Sequence, residues 1–348
     1  MKTKILISIF FALSLTGCLQ KISQQSNDLS QKPSIIFETD IGNDVDDALA
    51  LDMLYKYLDE KKINLLAVCS NKDSRYSTEY IHLMNNWYGY PNIPVGKVVN
   101  GIDSENDALK YAEHVSLMKN ENGKELFERP AFDHGTLPEA VSLYRRILST
   151  QPDHSVTIVS VGFSTNIVRL LHSAPDQYSK LKGVDLIAKK VKLLSVMAGS
   201  FGKEPVAEYN VVKDIPAAKA IADEWPTQIV YAPFEAGIAV TYPGKSIEND
   251  FSWTKAHPVV EAYKYYMKMP YDRPTWDLIA VLYVVENSTK YFTQSDWGNV
   301  NVDDKGFTKF SPDKDGKRAY LTLSELQAKE TQSHFVELVI KVPKAQQK

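Results

Sequence analysis

Short apolar segments of strand length recur along this chain, with helix-length segments between them. The apolar segments cover residues 35–37, 65–68, 156–161, 191–197 and 228–231. Helical patterns cover residues 48–58, 78–87, 138–148, 166–171, 215–222 and 259–267. Strands that are apolar on successive residues are typical of a parallel sheet covered by helices on both faces. The alternation therefore predicts an α/β fold with a mostly parallel central sheet flanked by helices.

Two segments depart from this alternation. Beyond Val300 the chain has the pattern of β-strands, and Asp-Lys-Asp-Gly at residues 313–316 predicts the turn of a C-terminal β-hairpin between Phe310 and Tyr320. Residues 102–129 are more polar, and we expect an insertion or a lid-like excursion there. Because residues 34–345 contain no internal repeat or low-complexity linker, a single domain is the simplest organisation.

The first residues have the pattern of an export signal. Lys2 and Lys4 precede an apolar run at residues 5–15 that is too short to span a bilayer as a helix. The run ends in Leu-Thr-Gly-Cys, which resembles a bacterial lipobox, with an incidental cysteine as the alternative. We expect a signal peptide at residues 1–17, a lipid on Cys18 and a flexible tether at residues 18–33. The expected location is the cell envelope, with the lipid in the outer membrane and the domain facing the periplasm.

The charge balance and the cysteine count exclude two further properties. Lys and Arg number 40 against 43 Asp and Glu, so the formal net charge of −3 leaves no basic excess to hold a nucleic-acid backbone. A small neutral ligand is compatible with this balance. Cys69 is the only cysteine after Cys18, so the mature domain is expected to form no intramolecular disulfide and to bury Cys69 as a small hydrophobic residue.

Carboxylates crowd the loop that follows the first predicted strand. Residues 38–47 are Glu-Thr-Asp-Ile-Gly-Asn-Asp-Val-Asp-Asp, with five acidic side chains in ten positions. Carboxylates that converge repel one another, and a hard cation such as Ca²⁺ removes that repulsion. The structural alternative is that Asp44 or Asp46 caps the next helix, which accounts for one or two of the five. The spacing fits neither an EF-hand loop nor an Asp-x-Asp phosphatase nucleophile.

Residues 39–48, Thr-Asp-Ile-Gly-Asn-Asp-Val-Asp-Asp-Ala, resemble the D-T-D-P-G-x-D-D-A signature of the nucleoside hydrolase family. The loop here is two residues longer than the signature, and Glu38 takes the place of its first aspartate. Further segments similar to the family's follow in its order, at residues 64–71, 92–96, 156–166, 195–214 and 276–280. The resemblance covers residues 35–285 and implies the Rossmann-like nucleoside hydrolase fold and hydrolysis of an N-glycosidic bond.

The resemblance also implies a calcium site and a general base. The implied side-chain ligands are Asp40, Asp47 and Asp277, and the implied backbone ligand is the carbonyl of Val161, where the family usually has threonine. Asp40 is in addition the base that takes a proton from the attacking water, which the ion orients and makes more acidic.

The same resemblance identifies candidates for sugar binding. The residues that match the family's ribose contacts are Asp46, Asn71, Met197, Glu208 and Asn210. Because the first loop is longer, Asp44 is an alternative to Asp46. The segment before Glu208 is short and lacks the family's asparagine for the 5′ end of ribose, with Lys203 or Glu204 near that place. Taken alone, each of these side chains is more often structural than functional.

Trp276 stands where broad-specificity members carry a histidine that protonates the departing base. Purine-selective members carry tryptophan there, and they are thought to activate the base by stacking aromatic rings against it. An indole offers a large polarisable face for this role, and Trp87 and Tyr271 are candidates for a second ring. The structural alternative for Trp276 is a buried core aromatic. The resemblance therefore implies a preference for purine nucleosides.

Three functions are compatible with these features. We favour a membrane-tethered, calcium-dependent nucleoside hydrolase that acts on purine ribonucleosides. The second is a related glycoside hydrolase with another ribosyl or glycosyl substrate, and the third is a nucleoside-binding lipoprotein without catalysis. A pure binder has no use for a metal-bound water, so Asp40, Asp47 and Asp277 disfavour the third function. Family members are commonly dimers or tetramers, which implies a homo-oligomer.

Overall fold

A mostly parallel sheet of ten strands organises the chain. The computed structural model describes residues 32–102, 110–286 and 289–347. The strands of this sheet and of a second, two-stranded sheet are β1 (Ser34–Thr39), β2 (Asn64–Ser70), β3 (Val95–Gly96), β4 (Val156–Ser160), β5 (Val191–Met197), β6 (Gln228–Ala232), β7 (Thr241–Tyr242), β8 (Arg273–Pro274), β9 (Thr293–Gln294), β10 (Gly298–Val302), β11 (Thr308–Pro312) and β12 (Arg318–Thr322).

The spatial order of the strands is β11-β10-β12-β6-β5-β4-β1-β2-β3. Every neighbouring pair from β12 to β3 is parallel. β9 pairs with β12, and β7 and β8 form a separate two-stranded sheet. The expected architecture, a mostly parallel sheet, is therefore confirmed.

Helices cover both faces of the sheet. They are α1 (Asp46–Asp59), α2 (Arg75–Trp87), α3 (Tyr111–Leu117), α4 (Ala140–Thr150), α5 (Thr165–Leu171), α6 (Gly183–Lys190), α7 (Tyr209–Lys213), α8 (Ile215–Glu224), α9 (Phe234–Ile238), α10 (Gly244–Asn249), α11 (Pro258–Tyr266), α12 (Trp276–Glu286) and α13 (Glu325–Val339). Single 3₁₀ turns lie at His134–Thr136 and Lys344–Gln346.

β1 shows why helices are needed on both faces. Its side chains alternate between two separate hydrophobic clusters, with Ile35 and Phe37 in one and Ile36 in the other. α1 contributes Leu49 to the first cluster, and α4 contributes Leu143 to the second. Because successive strand residues point to opposite faces, a strand covered on both faces is apolar at every position.

The C-terminal hairpin is present, but its turn is not the predicted one. β10 and β11 pair antiparallel around a turn at residues 303–306, where Gly306 has a φ of +84°. The predicted turn at residues 313–316 joins β11 to β12, which lies on the other side of β10 and pairs parallel with β6. Both turns contain aspartate and glycine, so local turn chemistry does not tell which strands will pair.

The lid expectation for residues 102–129 is wrong for α3, which lies within that segment. α3 packs against α2 and α11, and Tyr111 at its start is fully buried. This helix belongs to the core because its apolar side chains, including Ala112 and Val115, join the same cluster as α1.

Residues 1–31 lie outside the described residues, so the signal peptide, the lipid on Cys18 and most of the tether stay predictions. Residues 33–348 form one compact unit. Among the helices in the described ranges, none is long and apolar enough to cross a membrane. Cys69 is buried and carries a free thiol, as expected.

Candidate active site

A pocket of about 710 Å³ opens at the carboxyl edge of the parallel strands. The segments that leave β1, β4 and β5 contribute to its lining through Asp40, Val161 and Met197. Ligands bind at this edge in open α/β sheets because loops and helix N-termini converge there. The acidic and amide side chains that line the first-loop side are Asp40, Asn43, Asp44, Asp46, Asp47 and Asp277.

The loop after β1 is held in a tight bend. Gly42 has a φ of +111°, a backbone conformation that favours glycine. The Tyr111 hydroxyl accepts a hydrogen bond from Gly42 N (2.8 Å) and donates one to Asp44 O (2.8 Å). Ser77 Oγ donates to Ile41 O (2.5 Å). α2 and α3 therefore brace the loop and fix the directions of its carboxylates.

The expectation that Asp44 or Asp46 caps α1 holds only in part: Val45 occupies the N-cap position without a side-chain cap bond, but Asp44 Oδ1 accepts the Val45 backbone N–H (2.6 Å). Asp46 and Asp47 lie in the first turn of α1 and bond elsewhere. Asp46 Oδ2 accepts a hydrogen bond from the Asp277 backbone N–H (3.1 Å), and Asp47 accepts one from the Thr39 hydroxyl. Asp46 and Asp47 therefore bond to α12 and to the end of β1, and not to the N–H groups of their own helix.

Three aspartates form a candidate metal centre. Asp46, Asp47 and Asp277 each present a carboxylate oxygen within 4.8 Å of the others, and all three are buried. Burial raises the pKa of each carboxyl well above its usual value, and the neighbouring carboxylates raise it further. Buried like charges at this spacing are costly unless a cation compensates them, and carboxylate oxygens suit a hard divalent ion. The donor set therefore fits a metal.

Asp40 borders the same pocket but is not part of that set of three. Asp40 Oδ2 accepts a hydrogen bond from Asn43 Nδ2 (2.6 Å), and burial raises the pKa of Asp40 to about 6. Gly162 lets the chain after β4 pass close by, because a Cβ there would lie 2.5 Å from Asp40 Oδ1. The carbonyl of Val161, the predicted backbone ligand, accepts a hydrogen bond from Asn210 Nδ2 (3.2 Å). The predicted ligands therefore all contribute to one pocket.

The predicted sugar contacts at the start of α7 are connected to one another. The Glu208 carboxylate accepts backbone hydrogen bonds from Gly199 (3.2 Å), Asn210 (2.9 Å) and Val211 (3.3 Å). Burial raises the pKa of Glu208 to about 7, although these bonds lower it. Asn210 Nδ2 donates to Met197 O (3.2 Å). Glu208, Asn210 and Met197 all line the pocket, in a geometry that their mutual hydrogen bonds hold in place.

Trp276 lies in the wall of the pocket. The partly exposed indole stacks with Phe234 at 5.9 Å between ring centroids and 26° between planes, and its Nε1 donates to Phe234 O (3.0 Å). Tyr266 lines the same wall. The prediction of Trp87 or Tyr271 as a second ring is wrong, because neither lines the pocket and both rings make aromatic contacts elsewhere.

Asn71 and Asp44 differ from the other predicted site residues. Asn71 does not line the pocket and is fully buried behind Gly162, where a Cβ would lie 2.5 Å from its Oδ1. Its amide lowers the pKa of Glu38, which burial raises to about 7. Asp44 does line the pocket, but its carboxylate pairs with Arg273, whose Nε donates to Oδ1 at 2.9 Å. A contact between Asn71 and ribose therefore stays a prediction.

Sequence reasoning missed the residues that brace the site and complete its aromatic wall. They are Tyr111, Phe234, Tyr266 and Arg273. Only Phe234 had a usable signal, because it follows β6 at the carboxyl edge where ligands bind. The other three come from segments whose positions in space depend on helix packing.

A mostly parallel sheet with a buried carboxylate set at its carboxyl edge is typical of α/β proteins that bind a small ligand at the strand ends, with oxygen donors that suit a hard cation. The sequence profile of the inosine-uridine preferring nucleoside hydrolases matches residues 35–336, and the chain belongs to that family. Among curated relatives, the pyrimidine-specific ribonucleoside hydrolase RihA of Salmonella dublin is 31% identical over 223 residues, which are 62% of this chain. The chain spans 61% of that relative's length.

Solved structures show the same fold. A plant nucleoside hydrolase, PpNRh1, superposes with a TM-score of 0.66 at 19% identity, covering 89% of this chain and 99% of the other. The inosine-uridine preferring nucleoside hydrolase from Bacillus anthracis gives a TM-score of 0.65 at 18% identity, covering 89% of this chain and 100% of the other. The family and fold expected from the sequence are therefore confirmed.

Proposed function

We propose that this protein hydrolyses the N-glycosidic bond of ribonucleosides, with a preference for purine bases and with Ca²⁺ at the aspartate set. The observation that carries the proposal is that one pocket joins a buried carboxylate set, a separate carboxylate at Asp40 and an aromatic wall. Membership of the nucleoside hydrolase family supports the same reaction class. A cleft that combines many apolar atoms with a few fixed polar groups suits a small ligand such as a nucleoside.

The carboxylates would bind the ion and accept the proton of the attacking water. Asp47 and Asp277 of the aspartate set, with the carbonyl of Val161 and an oxygen of Asp40, would hold the ion, which when bound orients a water and lowers its pKa. Asp40 Oδ1 accepts the proton as the water attacks C1′ of the ribose, because Asn43 already occupies Oδ2. Calcium suits this set because it accepts carboxylates and carbonyls in irregular geometry, whereas Mg²⁺ demands a near-ideal octahedron.

The remaining polar residues hold the sugar. Glu208 and Asn210 present a carboxylate and an amide towards the pocket, and Asp46 adds a second carboxylate near the ribose hydroxyls. Met197 packs against the sugar ring. Because Glu208 and Asn210 are fixed by backbone hydrogen bonds, they bind the hydroxyls with little loss of side-chain freedom.

The departing base takes the electron pair of the C1′–N bond, and contact with aromatic rings would raise the basicity of its ring nitrogen so that a solvent water protonates it in place of an imidazole acid. No histidine lines the pocket in the described part of the chain. The Trp276 N–H is bonded to the carbonyl of Phe234, so it is not available to the base. The face of Trp276 offers a stacking surface, and a purine has a larger face than a pyrimidine to stack on it. This difference supports the purine preference.

Replacing Trp276 with alanine is expected to lower kcat/KM for the best purine nucleoside by about tenfold to a hundredfold, the worth of one stacked base. The loss for uridine is expected to be smaller because less ring area is stacked. Ribose release measured with both substrates checks this. Trp87→Ala is the matched control, since it removes an indole outside the pocket. Equal losses for inosine and uridine would contradict the stacking role.

The proposed reaction is tested on residues 19–348 without the lipid. Inosine, guanosine, adenosine, uridine and cytidine are each incubated with Ca²⁺ or with a chelator, and free ribose is measured. Release that needs Ca²⁺ and favours purines is the expected result. Release favouring pyrimidines would instead match the curated relatives, which are named pyrimidine-specific. No release from any nucleoside, with metal binding retained, would direct the assignment to another glycosyl substrate or to a binding role.

The protein is also proposed to be exported and tethered to the cell envelope through Cys18, with its domain facing the periplasm. The support is the basic start, the apolar run and the lipobox-like Leu-Thr-Gly-Cys. Cys18→Ser is expected to move the full-length protein from the membrane fraction to the soluble fraction and to abolish incorporation of labelled palmitate. Cys69→Ser is the control. A variant at Cys18 that still carries label would refute the anchor. The expected homo-oligomer stays a prediction.

A further inference from the structure

Arg273 joins the first loop to the aromatic wall. Its Nε donates to Asp44 Oδ1 at 2.9 Å, and a second guanidinium nitrogen donates to Asp44 Oδ2, so the pair is bidentate. The same guanidinium lies 5.2 Å from the ring centroids of both Tyr266 and Trp276. A planar cation that binds a carboxylate with its edge and aromatic rings with its face is a geometry that lysine cannot reproduce.

Strand pairing fixes the backbone position of Arg273. It belongs to β8 and pairs with Tyr242 of β7. Its side chain is 21% exposed, and the Asp44 side chain is 28% exposed, so the ion pair is partly shielded from water. An ion pair with this geometry and burial is stronger than one between freely exposed side chains.

The Trp276 ring is held from several directions. Phe234 stacks on it and accepts its N–H, while Gly237 packs so closely that a Cβ there would lie 2.1 Å from Trp276 Cδ1. Arg273 adds a cation–π contact, with its guanidinium 5.2 Å from the ring centroid. The orientation of the proposed stacking surface therefore depends on a residue that does not line the pocket.

Asp44 connects the guanidinium to the first loop. Its Oδ1 accepts a hydrogen bond from the Val45 backbone N–H (2.6 Å) as well as from Arg273 Nε (2.9 Å). The carboxylate that binds Arg273 is therefore itself held by the backbone at the start of α1.

We infer that Asp44 and Arg273 form a positioning pair for the proposed reaction, which sets the orientation of Trp276 against the base. The inference rests on the proposed function, because the base is the group that Trp276 would contact. Neither residue is assigned to proton transfer. Their effect is therefore expected on leaving-group activation and not on the attack of water.

The test compares two substrates that differ in their need for leaving-group activation. Inosine, or the nucleoside that is hydrolysed fastest, needs its base activated, whereas p-nitrophenyl β-D-ribofuranoside has a leaving group that departs without help. Arg273→Gln is expected to lower kcat on the nucleoside by about tenfold, as loss of a partly desolvated cation–π contact implies, and to lower kcat on the nitrophenyl riboside by no more than about twofold. Arg273→Lys is expected to restore only part of the loss.

Three further variants separate positioning from general stability. Asp44→Asn is expected to reproduce the Arg273→Gln loss, and the double variant is expected to add little to it, because the two residues act as one unit. Lys190→Gln is the matched control, since it breaks a 2.7 Å ion pair with Asp153 at the amino edge of the sheet, away from the pocket. It is expected to leave kcat on both substrates unchanged.

Equal losses on both substrates, or no loss on either, would overturn the positioning role. An activity-independent readout is the emission of Trp276, obtained by subtracting the Trp276→Phe spectrum from that of its parent. Arg273→Gln is expected to shift this emission, and an unchanged spectrum would overturn the inference. If the wild-type protein hydrolyses neither substrate, the proposed function fails. The emission spectrum then still shows whether Arg273 determines the position of the Trp276 ring.

Discussion

Asparagine in place of Asp40 is expected to lower kcat on the preferred nucleoside by about a thousandfold, the usual worth of a general base. Asparagine has the same shape but accepts no proton, so water loses its acceptor at Oδ1. The affinity for Ca²⁺ is expected to fall much less, because an amide oxygen still ligates a hard ion. Steady-state kinetics together with calorimetric titration of Ca²⁺ measure both quantities on the same protein.

Asp52→Asn is the control for the Asp40 variant. Asp52 is a buried aspartate on α1, and it bonds to Tyr88 and lies beside Lys56, outside the pocket. Its loss is expected to lower stability while leaving kcat of the folded protein within about threefold of wild type, since no step of the reaction uses it. If Asp40→Asn kept more than a tenth of the wild-type kcat, Asp40 would not be the base.

Asparagine in place of Asp277 is expected to change stability in opposite directions with and without metal. Without metal, the variant removes one of three buried carboxylates that repel one another, so we expect its Tm to rise by about 2 °C at neutral pH, or about 1 kcal/mol. With metal, the variant has lost a charged ligand, and we expect Ca²⁺ to bind about a hundredfold more weakly, or about 2.7 kcal/mol. The Ca²⁺-dependent gain in Tm is then smaller than in the wild type.

Thermal unfolding in chelator and in saturating Ca²⁺, with calorimetric titration, checks the Asp277 prediction. Asp272→Asn is a suitable control, because Asp272 is exposed and its Oδ1 accepts a hydrogen bond from Gly244 N at 2.9 Å outside the cluster. A Tm that falls equally in both conditions would mean that Asp277 is only structural. A Ca²⁺ affinity equal to that of the wild type would remove Asp277 from the metal site.

The site residues could largely be predicted from the sequence where they lie at or near the end of a strand. Asp40, Asp46 and Asp47 could be identified because they crowd one strand exit, and a parallel sheet brings strand exits to one edge. Met197 is the last residue of β5 and Asn210 follows that strand, so the same rule directs them to the pocket. We could expect these residues to lie near one another because each stands at the end of a strand or after it, and the strands are recognisable as apolar segments.

Local sequence pattern gave an incomplete or wrong prediction where the contacts of a side chain come from a distant part of the chain. Asp44 had the sequence features of a helix cap, and its Oδ1 accepts the Val45 N–H at the start of α1. Arg273, far along the chain, nevertheless binds both of its oxygens. Trp87 had the features of a stacking ring, yet its indole packs in an aromatic cluster with His257. Phe234 stacks on Trp276 because β6 ends beside α12. The residue types in these two segments do not indicate that the segments lie side by side.

By itself, the sequence determined the α/β class, the acidic strand exit and the type of chemistry that crowded carboxylates allow. These are set by side-chain periodicity and by charge, which are properties of neighbouring residues. Only the tertiary structure decided which carboxylates converge, which rings line the pocket and which cation compensates Asp44. Those outcomes depend on contacts between residues remote in the chain, such as Asp46 with Asp277 and Tyr111 with Gly42, and packing of the whole core selects them.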